Sequence, residues 1–108
     1  MVRSDLACGP QAAQGSHAAF QFAFEHPEIC REWYEKSNYL IMLSVPDEDA
    51  LLDYADMAHF ENVPYSLFHE PDLDGSDGGW HTALAIAPSH LGAKLSHLPL
   101  LGKEVAIA

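Results

Sequence analysis

Positive charge is scarce in this sequence. Five lysines and arginines stand against sixteen aspartates and glutamates, a formal charge of −11 over 108 residues. A field of that sign repels phosphates and anionic membrane surfaces at long range. Composition alone therefore disfavours nucleic acid as a partner, DNA included. The five cations (Arg3, Arg31, Lys36, Lys94, Lys103) are dispersed, so no basic stripe opposes the field, and even full protonation of the seven histidines leaves the chain acidic. Long apolar runs are also missing. The longest stretch, Tyr39 to Val45, has strand length and falls far short of the roughly 18–20 residues of a membrane helix. Cys8 and Cys30 make no C-x-x-C and no cysteine–histidine spacing, and read as free thiols of a reducing compartment. The first residues do not couple a basic region to an apolar stretch as a signal peptide does, so a cytoplasmic location is expected.

Nucleotide and acyl-transfer signatures are lacking too: the sequence has no G-x-G-x-x-G, no Walker lysine and no G-x-S-x-G. No cofactor is expected. What is present is a 48% hydrophobic fraction, enough to build the core of one domain over residues 1–108.

Residues 1–11 read as a lead-in whose Gly9-Pro10 step signals a turn. Ala12 to Glu25 (AAQGSHAAFQFAFE) predicts a helix, which Gly15 weakens by about 1 kcal/mol unless something approaches its backbone closely. His26-Pro27 ends it, and Pro27 suits the first turn of a second helix through Tyr34 or Glu35. Asn38 to Val45 (NYLIMLSV) predicts a strand covered on both faces. Asp47 to Phe60 predicts an amphipathic helix with Leu51, Leu52, Ala55 and Ala58 turned inward and Met57 a further candidate for that stripe. Tyr65 to His69 and Trp80 to Ala87 predict strands around an acidic, glycine-rich loop, Glu70 to Gly79, and a last helix runs from Pro88-Ser89 to about His97. The fold class is α/β: a small mixed sheet of about four strands sandwiched between helices. Only Met1-Val2 precede the first turn, so the first strand is expected to be truncated. The strand-like tail Val105 to Ala108 is a candidate to fill its place, in the same subunit or a neighbour; a start encoded further upstream is the alternative.

Three constellations bear on chemistry. Gln14, His17 and Gln21 share one helix face at spacings of three and four. Histidine passes protons near neutral pH, and glutamines beside it can orient a water or a carbonyl; a solvated polar face gives the same spacing. Glu70, Asp72, Asp74 and Asp77 with Gly75 suggest oxygen donors for a hard cation, but an EF-hand count puts His81 at position 12 and strands on the flanks. A solvated acidic turn fits as well, and no metal is expected there. His69 and His81, on strands that flank this loop, could approach each other with Glu70 as zinc ligands, although no two histidines have helical or H-x-H spacing.

Arg3-x-Asp5-Leu6, Gly9 and Gln11-Ala12-x-Gln14-x-x-His17-Ala18 resemble the N-terminal signature of type II peptidyl-tRNA hydrolases. Val63-Pro64, Glu70-Pro71-Asp72-Leu73, Thr82 to Pro88 and His97-Leu98-Pro99-Leu100 are similar to the second half of that family. The likeness covers about residues 3–101 and is nearest to a bacterial and phage-like branch with D-L-x-x-G-x-Q-A-x-Q and E-P-D-L motifs. It implies a mixed four-stranded sheet, a homodimer, and hydrolysis of the ester joining a peptide to the terminal ribose of tRNA. It also implies catalytic roles for His17, Gln14 and Glu70 and substrate contacts at Arg3, Gln11, Asp74 and Thr82. The family's lysine-bearing G-K step appears here as Gly9-Pro10-Gln11, which removes a cation for a phosphate or an oxyanion. A mechanism follows in which His17 is general base, held by Gln14 or Glu70, and helix N–H groups near Gln11 to Ala13 receive the oxyanion. Against the −11 background, tRNA binding is expected to be weak and salt-sensitive. A non-catalytic binding domain of the same fold is the alternative reading.

Overall fold

The computed structural model describes residues 1–71 and 79–102. In chain order the elements are β1 (Val2–Arg3), α1 (Cys8–Glu25), α2 (Pro27–Lys36), β2 (Ser44–Val45), α3 (Glu48–Phe60), β3 (Tyr65–Glu70), β4 (Trp80–Ile86) and α4 (Gly92–Leu95). The sheet order is β2-β1-β4-β3, with β1 parallel to β2 and antiparallel to β4, and β3 antiparallel to β4. This is the small mixed four-stranded sheet expected from the sequence.

The central place expected to be vacant is filled by β1 itself. Val2 N–H donates to the Leu43 carbonyl at 2.9 Å, Ser4 N–H to Val45 at 2.7 Å, and Leu84 N–H to Met1 at 2.9 Å. Two strand residues suffice because neighbours on both sides saturate their backbone. The tail assigned to that place, Val105 to Ala108, lies outside the described residues.

The first helix begins four residues earlier than the sequence reading, at Cys8. Gly9-Pro10 is the first turn of a helix, where a missing N–H costs nothing, and not a separate turn. α1 buries Gln11, Gln14, Gly15, Ala18 and Phe22, at the three- and four-residue spacing of one face. Gly15 has the reason its helix cost demanded. A Cβ there would lie 2.5 Å from the Met42 Cε and 2.9 Å from the Val2 Cγ2, so the helix backbone packs directly against these two side chains. Gly15→Ala is expected to lower the urea midpoint of unfolding, because overpacking of about 1–3 kcal/mol exceeds the helix-propensity gain of about 1 kcal/mol.

The α3 helix is capped by Asp47, whose carboxylate accepts the Ala50 N–H at 2.9 Å, and Glu48 and Asp49 complement its N-terminal dipole. It covers one sheet face through Leu51 and Ala55 against Val45 and Leu84. α1 covers the other, with Ala18 against Val2 and Ala83. Two expected elements are shorter than predicted. The doubly covered strand over Asn38 to Val45 is reduced to Ser44–Val45, and Tyr39, Leu40 and Ile41 are 80%, 67% and 65% exposed. Val2 and Arg3 stand opposite this strand on one side and Pro99 to Leu101 on the other, through the Leu43–Leu100 bridge, and neither partner extends the pairing to Tyr39. The last helix is one turn, Gly92–Leu95, rather than the full stretch to His97.

Candidate active site

The site lies where α1 crosses β3 and β4. Strand alternation turns Ser66, Phe68 and Glu70 toward α1. Ser66 donates to Glu25 at 2.5 Å, the Phe68 ring meets the His17 ring at 4.7 Å between centroids, and Glu70 accepts from the Gln14 amide at 3.3 Å. The Ser66 hydroxyl, with Gln21, holds the Glu25 carboxyl below its ordinary value. These contacts pin α1 along β3 at three heights.

Thr82 reaches the same face through an irregularity in the sheet. Ala83 opposes Phe68 and packs toward α1, whereas His81 opposes His69, which leaves Thr82 as the extra residue of a bulge. Two successive side chains thereby point to one side. The Thr82 hydroxyl, wholly buried, donates to the Gln14 amide oxygen at 2.5 Å. Gln14 is thus fixed at both ends, oxygen to β4 and nitrogen to β3. Glu70, half-buried, stands opposite Trp80. Gly79 turns the chain into β4 with φ +71, packed so closely on the Glu70 carbonyl that no Cβ fits.

Of the residues named from sequence, Gln14, Glu70 and Thr82 come together and His17 sits one helical turn from Gln14, exposed beside Phe68. Of the two residues expected to hold His17, Gln14 or Glu70, Gln14 bridges the two strands through Glu70 and Thr82. Thr82 lies beneath the site and bears on it through Gln14. Gln11 is buried, and its amide donates to the Leu6 carbonyl at 2.6 Å, securing the lead-in loop instead of facing a ligand. The helix donors expected near Gln11 to Ala13 are spent: Gln11 N–H already bonds the Ala7 carbonyl at 2.9 Å, because the helix starts at Cys8. Asp74 lies outside the described residues.

Arg3 is close by, with its charge already matched. Its Nε and Nη2 donate to the Asp5 carboxylate at 2.9 and 2.7 Å, and Nη1 donates to the His81 carbonyl at 3.2 Å. The Asp5 hydrogen bonds raise the guanidinium pKa further. Lys36 pairs with Glu32 and Lys94 with Glu61, so among the described residues Arg31 is the cation outside an ion pair. The His69 and His81 rings do approach, at 5.0 Å between centroids, and His81 Nδ1 lies 3.7 Å from Glu48. Among the described residues no group of three histidine, cysteine or acidic side chains is arranged to hold a metal ion. An apolar cavity of about 1080 Å³, between Phe22, Trp33, Met42 and Leu98, opens on another flank of α1 and includes none of Gln14, His17, Glu70 or Thr82.

Chemically, a fixed amide, a half-buried carboxylate and an exposed imidazole suit a reaction that activates water. A family model described as peptidyl-tRNA hydrolase PTH2 matches residues 1–95. The chain belongs to that family. Among curated relatives, a peptidyl-tRNA hydrolase of Methanocaldococcus jannaschii is 28% identical over 94 residues, which are 82% of either chain. A peptidyl-tRNA hydrolase of Staphylothermus marinus is 31% identical over 82% of this chain and 78% of its own. The mitochondrial peptidyl-tRNA hydrolase 2 of Bos taurus is also 31% identical over 82% of this chain, but over only 52% of its own. The match to the PTH2 family takes in every described residue of the site, from Arg3 to Thr82. Trp80 and Phe68 were not singled out from sequence. Phe68 was legible as the middle residue of the Ser66, Phe68, Glu70 alternation, whereas Trp80 gains meaning only when β4 is set against Glu70.

Proposed function

We propose that the protein hydrolyses the ester between a peptide and the terminal ribose of tRNA. The observation that supports this most is the Gln14 bridge between Glu70 and Thr82, one turn from His17, in a chain of the PTH2 family. His17 takes a proton from the attacking water as general base. Glu70, held by Gln14, orients that water. The second amide N–H of Gln14 is the donor for the developing oxyanion, replacing the helix donors excluded above. The ester C–O bond then breaks, and His17 returns the proton to the departing ribose oxygen.

The catalyst is proposed to act in the cytoplasm as a homodimer, for which the exposed stretch Tyr39–Ile41 offers apolar surface. The test is release of labelled peptide from peptidyl-tRNA. Release well above the uncatalysed rate is expected. Binding without release would favour a non-catalytic module of the same fold. Affinity is proposed to be weak and to fall as salt rises, since phosphate contacts release counterions.

A further inference from the structure

We propose that Trp80 is the stacking platform for the unpaired terminal nucleobase of the tRNA, held in place by Arg3; this rests on the hydrolase reading above. Trp80 opens β4, two residues before Thr82 and directly opposite Glu70. Its ring lies under the Arg3 guanidinium, whose carbon is 5.6 Å from the ring centroid, and 39% of the residue is exposed. Phe20, Phe24, Tyr34, Tyr39 and Phe60 are more exposed, but Trp80 differs from them in lying under Arg3 and opposite Glu70, at the rim of the site.

The support beneath it is unusually well fixed. Three hydrogen bonds tie Arg3 to Asp5 and to the His81 carbonyl, the residue after Trp80. Arg3 is therefore a buried, charge-matched strut and not a cation waiting for phosphate. A guanidinium plane packed on one side of an indole restrains the ring, and a nucleobase can stack on what remains exposed. Every base has a π-face, so the contact requires no positive charge.

Charge makes this form of grip apt. The chain carries −11 and its described cations are mostly paired, so it has little with which to hold a phosphate backbone. Stacking is nearly indifferent to that field. The position is also right for the reaction. The scissile ester is on the ribose of the terminal nucleotide, so the site for its base must adjoin the hydrolytic groups. Trp80 and Glu70 are cross-strand partners, and neighbouring strands bring such partners to about 5 Å between Cα atoms.

The test compares Trp80→Phe and Trp80→Ala with the wild type in steady-state peptide release. Trp80→Ala is expected to raise KM about tenfold or more, with kcat within about twofold, and Trp80→Phe to keep most of the affinity. The ratio between Trp80→Ala and wild type should hold from low to high salt. An unchanged KM, a loss confined to kcat, or a ratio that collapses to one at high salt overturns the proposal. A second readout is independent of catalysis. Trp33→Phe leaves Trp80 as the sole tryptophan, and its fluorescence should be quenched by deacylated tRNA but not by the same tRNA lacking its terminal nucleotide. Equal quenching by both, or by neither, overturns the platform even where the wild type hydrolyses peptidyl-tRNA. Terminal-nucleotide-dependent quenching by a chain that releases no peptide would sink the hydrolase reading and leave the stacking site standing.

Discussion

His17→Ala is expected to lower kcat/KM for peptidyl-tRNA by about 10²- to 10⁴-fold, the range that one positioned general base supplies. The folded state should hardly notice. His17 is exposed on α1, and the contact that places it is a tilted ring packing on Phe68, with no buried polar partner to orphan among the described residues. Alanine is also the best helix former, so the substitution costs α1 nothing in propensity. Circular dichroism and the urea midpoint should match the wild type while peptide release collapses. Wild-type turnover in this variant would remove His17 from the mechanism. A fall in stability as large as the fall in activity would mean that the Phe68 contact is structural first.

Gln14→Leu is expected to damage both properties. The Thr82 hydroxyl is wholly buried and gives its proton to the Gln14 amide oxygen, so leucine leaves a buried donor without its acceptor. Such a loss costs about 1–3 kcal/mol. Glu70 also loses the amide that steadies it, so activity should fall beyond what destabilisation explains. The double variant Gln14→Leu/Thr82→Val separates the two effects. Removing both members of a buried pair is far less costly than removing one, so stability should return part of the way and activity should not. If activity returns with stability, Gln14 serves packing alone.

Part of this site was legible in the sequence. The three-residue step from Gln14 to His17 places both on one helix face whatever the fold, and the acid at position 70 ends an apolar strand. The partners were not legible. Nothing local to Thr82 says that a bulge turns it to the same side as Ala83, since bulges arise from how two strands fit. Nor does the text of the sequence show that Asp5 has already taken the charge of Arg3. Only the pairing of β1 with β4 brings that guanidinium over Trp80.

Segments with their own periodicity and their own stop signals were determined by the sequence alone: α1 to Glu25, α2 after Pro27, α3 behind its Asp47 cap, and the strands β3 and β4. Their hydrogen bonds are local, or their apolar pattern is long enough to fix a face. The tertiary structure decided the rest. A two-residue β1 has no period to read, yet it takes the centre of the sheet, and neither it nor Pro99 to Leu101 carries the pairing of β2 on to Tyr39 to Ile41, which are left exposed. The scarcity of positive charge was fixed by composition. That Trp80 lies under Arg3 and opposite Glu70 was decided by strand pairing, which alone brings these residues, distant in sequence, together.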